Sequence, residues 1–160
     1  MLLLLSLSLS ALLLGNPLHT TEPDDFFANL QRQHIQNIEH QKRVSLIKFF
    51  DHYKGKKPYP INAYITYAEQ YQIDYRLLPA ISVAESSAGN HACGYNWWGW
   101  QSCKGYNFGS VTEGIQFVSE KLGTGYYYCG KSIKDKIHSY NGNPSYWIQI
   151  KGFLKEISND

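Results

Sequence analysis

Charge of one sign is scarce in this chain. Across 160 residues, 15 Lys and Arg stand against 13 Asp and Glu, for a net charge of +2. No basic run with interleaved aromatics occurs, so a surface that tracks phosphates is not expected, and nucleic acid is set aside as a partner. Metal-ligand spacing is missing as well. The 3 Cys and 6 His form no Cys-x-x-Cys or His-x-x-x-His pair. A zinc site from His91, Cys93, Cys103 and Cys129 therefore has no support, and no metal or cofactor is expected. Long apolar runs are confined to Met1–Leu14, nearly all Leu with Ser and Ala. That is about the length of a signal-peptide hydrophobic region and short for a bilayer span. No Lys or Arg precedes the run, and no small-x-small cleavage site follows it. Either the true start lies upstream or residues 1–18 stay on as a short membrane anchor. Both versions imply export, to the cell envelope, the periplasm or the outside.

Aromatic residues, by contrast, are plentiful: 15% of the chain, with 13 Tyr. The length beyond the N-terminus suits one domain with a single core, and a monomer is expected. The pattern reads as mainly α, with helices joined by polar turns. Residues 19–57 read as a helical stalk or accessory helix, since Asp24 to Tyr53 is polar with sparse apolar positions such as Ile35, Ile38, Leu46 and Phe50. Gly55-Lys56-Lys57-Pro58-Tyr59-Pro60 is a breaker and marks the start of a domain over 58–160. Ile61, Tyr64, Ile65, Ala68 and Tyr71 then recur at helical spacing. Pro79 deletes a hydrogen bond if it lies mid-helix, so the next helix either begins near Leu77 or is kinked.

That helix carries the residue to explain. Leu77 to Ala84 is almost wholly apolar, and Glu85 shares a stripe with Ile81 and Leu78. Ser86-Ser87-Ala88-Gly89 follows, with the glycine as a natural stop. A carboxyl there is expected to face the negative end of the helix and a partly desolvated wall, a setting in which it holds its proton. General-acid catalysis requires such a group. The plainer reading is a surface Glu at a frayed helix end.

Past the turn, Asn96-Trp97-Trp98-Gly99-Trp100 places three of the 4 Trp within four positions. Heavy residues around a glycine imply irregular backbone, and exposed indoles on a loop offer flat apolar faces. Pyranose C–H faces fit them, with Asn96 supplying amide hydrogen bonds. The opposing reading is a Trp clamp that closes a small core beneath a disulfide.

Ala84-Glu85-Ser86-Ser87-Ala88-Gly89, Asn96-Trp97-Trp98-Gly99-Trp100 and Ser139-Tyr140-Asn141-Gly142 resemble, in order, the blocks of lysozyme-like peptidoglycan-cleaving enzymes. They are most similar to lytic transglycosylases and endo-β-N-acetylglucosaminidase domains. The resemblance runs roughly from Ile61 to Ile157, and its specificity lies in the order of three individually weak blocks. It implies a single lysozyme-like helical domain with an irregular cleft-lining loop. It also implies Glu85 as acid, Tyr140 opposite it near the scissile sugar, and Ser86, Asn96, Trp97, Trp98, Gly99, Trp100 and Asn141 along the cleft. Peptidoglycan glycan strands are then the expected partner.

A second carboxylate does not stand out. Ser110-x-x-Glu113 is a capping box ahead of Val111, Ile115, Val118 and Leu122, with Gly123 as stop. Ser132-x-x-Asp135 repeats the device, and Asp74 reads most simply as a cap. Two-carboxylate glycosidases need a nucleophile or base beside the acid. A single acid suffices where the substrate supplies the second group, as in the transglycosylases. The double aromatic before Gly99 leans instead towards the glucosaminidase type. A catalytically silent glycan-binding module is the reading from another class. Export would also let Cys93 and Cys103 pair around the Trp loop, leaving Cys129 over.

Overall fold

The structure is a computed structural model and describes residues 23–158; the expected export segment at 1–18 lies outside the described residues. Six helices carry the fold: α1 (Pro23–His52), α2 (Ile61–Gln70), α3 (Leu77–Ser86), α4 (Val111–Thr124), α5 (Ile133–Tyr140) and α6 (Pro144–Ser158). Among the described residues there is no strand, only an isolated bridge between Cys93 and Asn96. None of the described helices is long and apolar enough to cross a membrane.

The chain divides into two compact units, Met1–Ile35 and Gln36–Asp160. In the first, the opening of α1 leaves Phe26, Phe27, Leu30 and Ile35 exposed. The second begins well before the breaker at 55–60. Leu46, Phe49 and Phe50 fall at helical spacing on one face of α1 and are buried in the same core as Ile61, Tyr64 and Ile81. The expected boundary at residue 58 is corrected accordingly: the last turns of α1 are core, not stalk. Too few apolar positions were visible there because the stripe is short. Lys42 to Glu69 (2.7 Å) and Tyr53 to Glu156 (2.9 Å) fasten the rim of that face.

The core is centred on α3. Leu77 through Val83 are all buried, so this part of the helix is enclosed on every side. It lies against α6 and α4, while α2 packs on α4 and α5 on α6. Pro79 is accommodated without a kink because it falls in the first turn, where its missing N–H has no helical acceptor to lose. Ser110 caps α4 by accepting from the Glu113 amide (3.1 Å), and the Glu113 carboxylate accepts from the Gly109 amide (2.7 Å). Ser132 likewise accepts from the Asp135 amide (3.2 Å). Gly123 is not the stop of α4, which runs to Thr124. A Cβ at Gly123 would collide with the Tyr71 carbonyl oxygen, so the glycine permits the close approach of the chain after α2.

Candidate functional site

Glu85 is carried to the surface by the end of α3. The helix is buried through Val83, Ala84 is half-buried, and Glu85 is exposed. The desolvated wall expected from the helical stripe is therefore absent, because the helix leaves the core within its last turn. Its stop is also earlier than Gly89: Ser87 and Ala88 already take the left-handed conformation, at φ 50° and 52°. Ser86 holds this reversal. Its hydroxyl lies 2.7 Å from the Trp97 carbonyl oxygen and 3.0 Å from that of Ser82, and it accepts from the Gly89 amide at 3.0 Å. Ser86 is buried and structural; it does not line the cleft.

One oxygen of Glu85 is held by a residue the sequence did not single out. Tyr146, buried in the first turn of α6, donates its hydroxyl to Glu85 Oε1 at 2.7 Å. Asn143 starts that turn by accepting from the Ser145 amide (3.0 Å), and Asn141 supports it by accepting from the Asn143 amide (3.0 Å). The other carboxylate oxygen faces Gly99. With φ at 58°, Gly99 is left-handed, and a Cβ there would come within 2.9 Å of Glu85 Oε2. Glycine at this position lets the loop close against the acid.

The cleft beside Glu85 has a volume of about 430 Å³. Of the expected site residues it contains Glu85, Gly99, Trp100, Tyr140 and Asn141, and it adds Gln101, Ser102, Tyr127 and Tyr128. Trp100 is half-buried, with ring centroids 5.8 Å from Tyr140, 6.2 Å from Tyr128 and 6.0 Å from Phe117. Tyr127 is exposed. Lys136 ties the Tyr128 backbone in place by donating to its carbonyl at 2.8 Å and to the Leu122 carbonyl near the end of α4.

The remaining expected sugar-facing residues are corrected. Trp98 is fully buried and Trp97 nearly so, at 3% exposure. The Trp98 indole donates to the Leu78 carbonyl (3.1 Å), and its ring meets Tyr64 edge-on. Asn96 is buried with both ends of its amide engaged by Trp100, accepting from the backbone N–H (2.9 Å) and donating to the C=O (3.0 Å). These residues form the Trp clamp rather than a binding face. A disulfide between Cys93 and Cys103 closes the same loop; Cys129 is a free, exposed thiol. Inside the bridge, Gln101, Ser102 and Cys103 all have positive φ, a cluster of sparsely populated conformations at the cleft wall.

Tyr140 lines the cleft, but its hydroxyl donates to the Trp98 carbonyl, so it braces the wall rather than reaching the acid. Burial pushes its phenol well above the ordinary range, helped by the Glu85 charge and by Tyr128. Burial, the hydrogen bond to Glu85 and the Glu85 charge do the same to Tyr146. Both phenols are consequently donors, not bases or nucleophiles. Glu113 is absent from the cleft and engaged in its cap. Among the described residues, no group of His, Cys, Asp and Glu is placed to hold a metal. Compared with family models, curated proteins and solved structures, the chain has no match.

A nearby signal could have found Tyr146. Asn143-Pro144 is a readable helix start that puts Tyr146 in the first turn. What that turn faces depends on the packing of α6 against α3, which no local pattern encodes.

Proposed function

We propose that the chain cleaves β-1,4 glycosidic bonds in peptidoglycan glycan strands, with Glu85 as general acid and then base. The observation that carries this reading is the cleft itself. A lone carboxylate, held at one oxygen by Tyr146 and backed at the other by Gly99, opens onto a wall of Trp100, Tyr127 and Tyr128. Aromatic faces of this kind suit pyranose rings, and the order of the sequence blocks supports the same substrate. A bound strand would cover Glu85 and exclude water from it.

With one carboxylate in the cleft, the second reacting group comes from the substrate. Glu85 gives its proton to the glycosidic oxygen as the bond to C1 breaks. The resulting carboxylate then takes the proton of the same sugar's 6-hydroxyl as that oxygen bonds to C1. The acid is regenerated, no water is consumed, and a 1,6-anhydro end results. In the glucosaminidase-type alternative the other linkage is cut, water attacks C1 of N-acetylglucosamine, and the product carries a reducing N-acetylglucosamine end. The reading places the chain in the cell envelope or outside the cell, consistent with the disulfide.

The test is Glu85→Gln on purified cell walls, with loss of turbidity as the rate and mass spectrometry of the soluble products. Gln keeps the shape but cannot exchange the proton, so the rate should fall by roughly two to four orders of magnitude. Anhydro ends identify the transglycosylase and reducing N-acetylglucosamine ends the hydrolase. Wild-type protein that binds walls and releases nothing would show a silent binding module and sink the proposal.

A further inference from the structure

A second, larger depression lies on the other side of the Trp clamp. Two adjoining cavities of about 490 and 390 Å³ share Tyr59, Pro60 and Thr112, and neither has a residue in common with the cleft at Glu85. We propose that this groove is a separate binding site for an acidic oligosaccharide, a chain of N-acetylated sugars carrying carboxylates. The proposal stands whether or not Glu85 cleaves anything.

Four features support it. First, the groove presents phenol faces: Tyr59 and Tyr67 are half-buried along it, and Tyr95 is 46% exposed. Sugar C–H faces pack on such rings. Second, the Asn62 amide lines it and is exposed, and can serve hydroxyl and acetamido groups. Third, its charge is of one sign. Lys56 and Lys57 line it and no Asp or Glu does. Lys57 is engaged with Asp51 at 3.0 Å, whereas Lys56 is exposed and its ammonium has no ion pair among the described residues. Fourth, Trp97 lines the groove, and its buried indole N–H finds no acceptor among the described residues. Buried donors are nearly always paired, so the resonance of this unpaired N–H reports on what occupies the groove beside it. A peptide added as a strand has no edge to pair with, since the described residues contain no strand.

The Glu85→Gln protein, which removes turnover from the measurement, is titrated with two probes and followed by its amide and indole N–H resonances. One probe is a stem-free tetrasaccharide alternating N-acetylglucosamine with N-acetylmuramic acid. The other is uncharged chitin tetrasaccharide. The Trp97 indole and the backbone amides of Asn62 and Tyr95 should move with the acidic probe. Lys56→Gln should weaken its Kd roughly three- to tenfold, an exposed charge contributing little more, and leave the chitin Kd unchanged. Asn62→Ala should weaken both probes. Shifts confined to 99–102 and 127–141 would locate all binding in the Glu85 cleft and overturn the proposal, as would an acidic-probe Kd indifferent to Lys56→Gln. A protein that cleaves no wall yet shows the Trp97 shift keeps this site and loses only the proposed reaction.

Discussion

Tyr146→Phe removes one oxygen atom and isolates what the Tyr146 hydroxyl does for Glu85. The ring stays, stacked at 6.2 Å and 15° on Tyr140, so packing is preserved. The lost interaction is a hydrogen bond of 2.7 Å to a carboxylate. Bonds to charged groups are worth about 1.5–3 kcal/mol when both partners are desolvated. Glu85 is exposed, and water can replace the phenol, so the cost to folding should not exceed about 1 kcal/mol. The cost to turnover should be larger than folding alone predicts. Glu85 would be free to rotate about its side-chain torsions, and restoring its aim in the transition state at a penalty of about 1–2 kcal/mol means a rate lower by roughly 5- to 30-fold. That loss belongs in kcat, since Tyr146 is not part of the cleft wall and does not itself face the strand. Wall-clearing kinetics and Tm, measured on the same preparation, separate the two effects. Wild-type kcat in Tyr146→Phe, alongside an inactive Glu85→Gln, would refute the positioning role. A stability loss on the scale of a core cavity, about 2–5 kcal/mol, would show that the hydroxyl serves the fold instead.

Reduction of Cys93–Cys103 should free a 10-residue separation that the bridge stabilises by about 3 kcal/mol on the chain-entropy account. Because Gln101, Ser102 and Cys103 are held left-handed, glycan affinity and turnover should fall while helical circular dichroism persists; unchanged cleavage after thiol labelling confirms reduction would contradict this. Stability should also decline in alkali. Burial raises the phenols of Tyr64, Tyr140 and Tyr146, and burial with the Glu156 hydrogen bond raises Tyr53 to about 12. A group with a raised folded-state value contributes fully below its unfolded value of about 10 and loses that contribution as pH climbs through the folded one. Lys136, pushed down by burial, acts in the opposite sense but is one group against four. Denaturant midpoints should stay level to about pH 9.5 and drop above pH 10; a midpoint that rises through pH 11 would reverse the argument.

The helices were legible because their signals are local. Ile61, Tyr64, Ile65 and Ala68 repeat at the helical period and are the buried face of α2. The Ser110 and Ser132 caps make the hydrogen bonds their spacing announces. Pro79 limited where α3 could begin, and Leu77 is where it does. The start of the folded unit was less legible, because Leu46, Phe49 and Phe50 give barely one turn of apolar stripe at the end of a long polar helix.

The site was legible in its sequence positions and not in its directions. Glu85, Gly99, Trp100, Tyr140 and Asn141 do meet at one cleft. Glycine beside three tryptophans signalled an irregular backbone, but irregular backbone carries no period from which inward and outward faces can be assigned. Trp97 and Trp98 turned inward because α3 ends in an early left-handed reversal, with Ser86 bound to the Trp97 carbonyl, and the loop is thereby drawn over the core. The same reversal lifts Glu85 into the open. Burial of the two indoles and exposure of the acid are thus one event, seen from its two sides. A sugar-facing surface of the kind proposed must then come from other side chains. On the proposed function Trp100 and the Tyr127–Tyr128 segment supply it, the latter tied by Lys136 of α5, which donates to the Tyr128 carbonyl and to that of Leu122 in α4. Such a tie joins α4, a turn and α5, and only the packed molecule brings the three together.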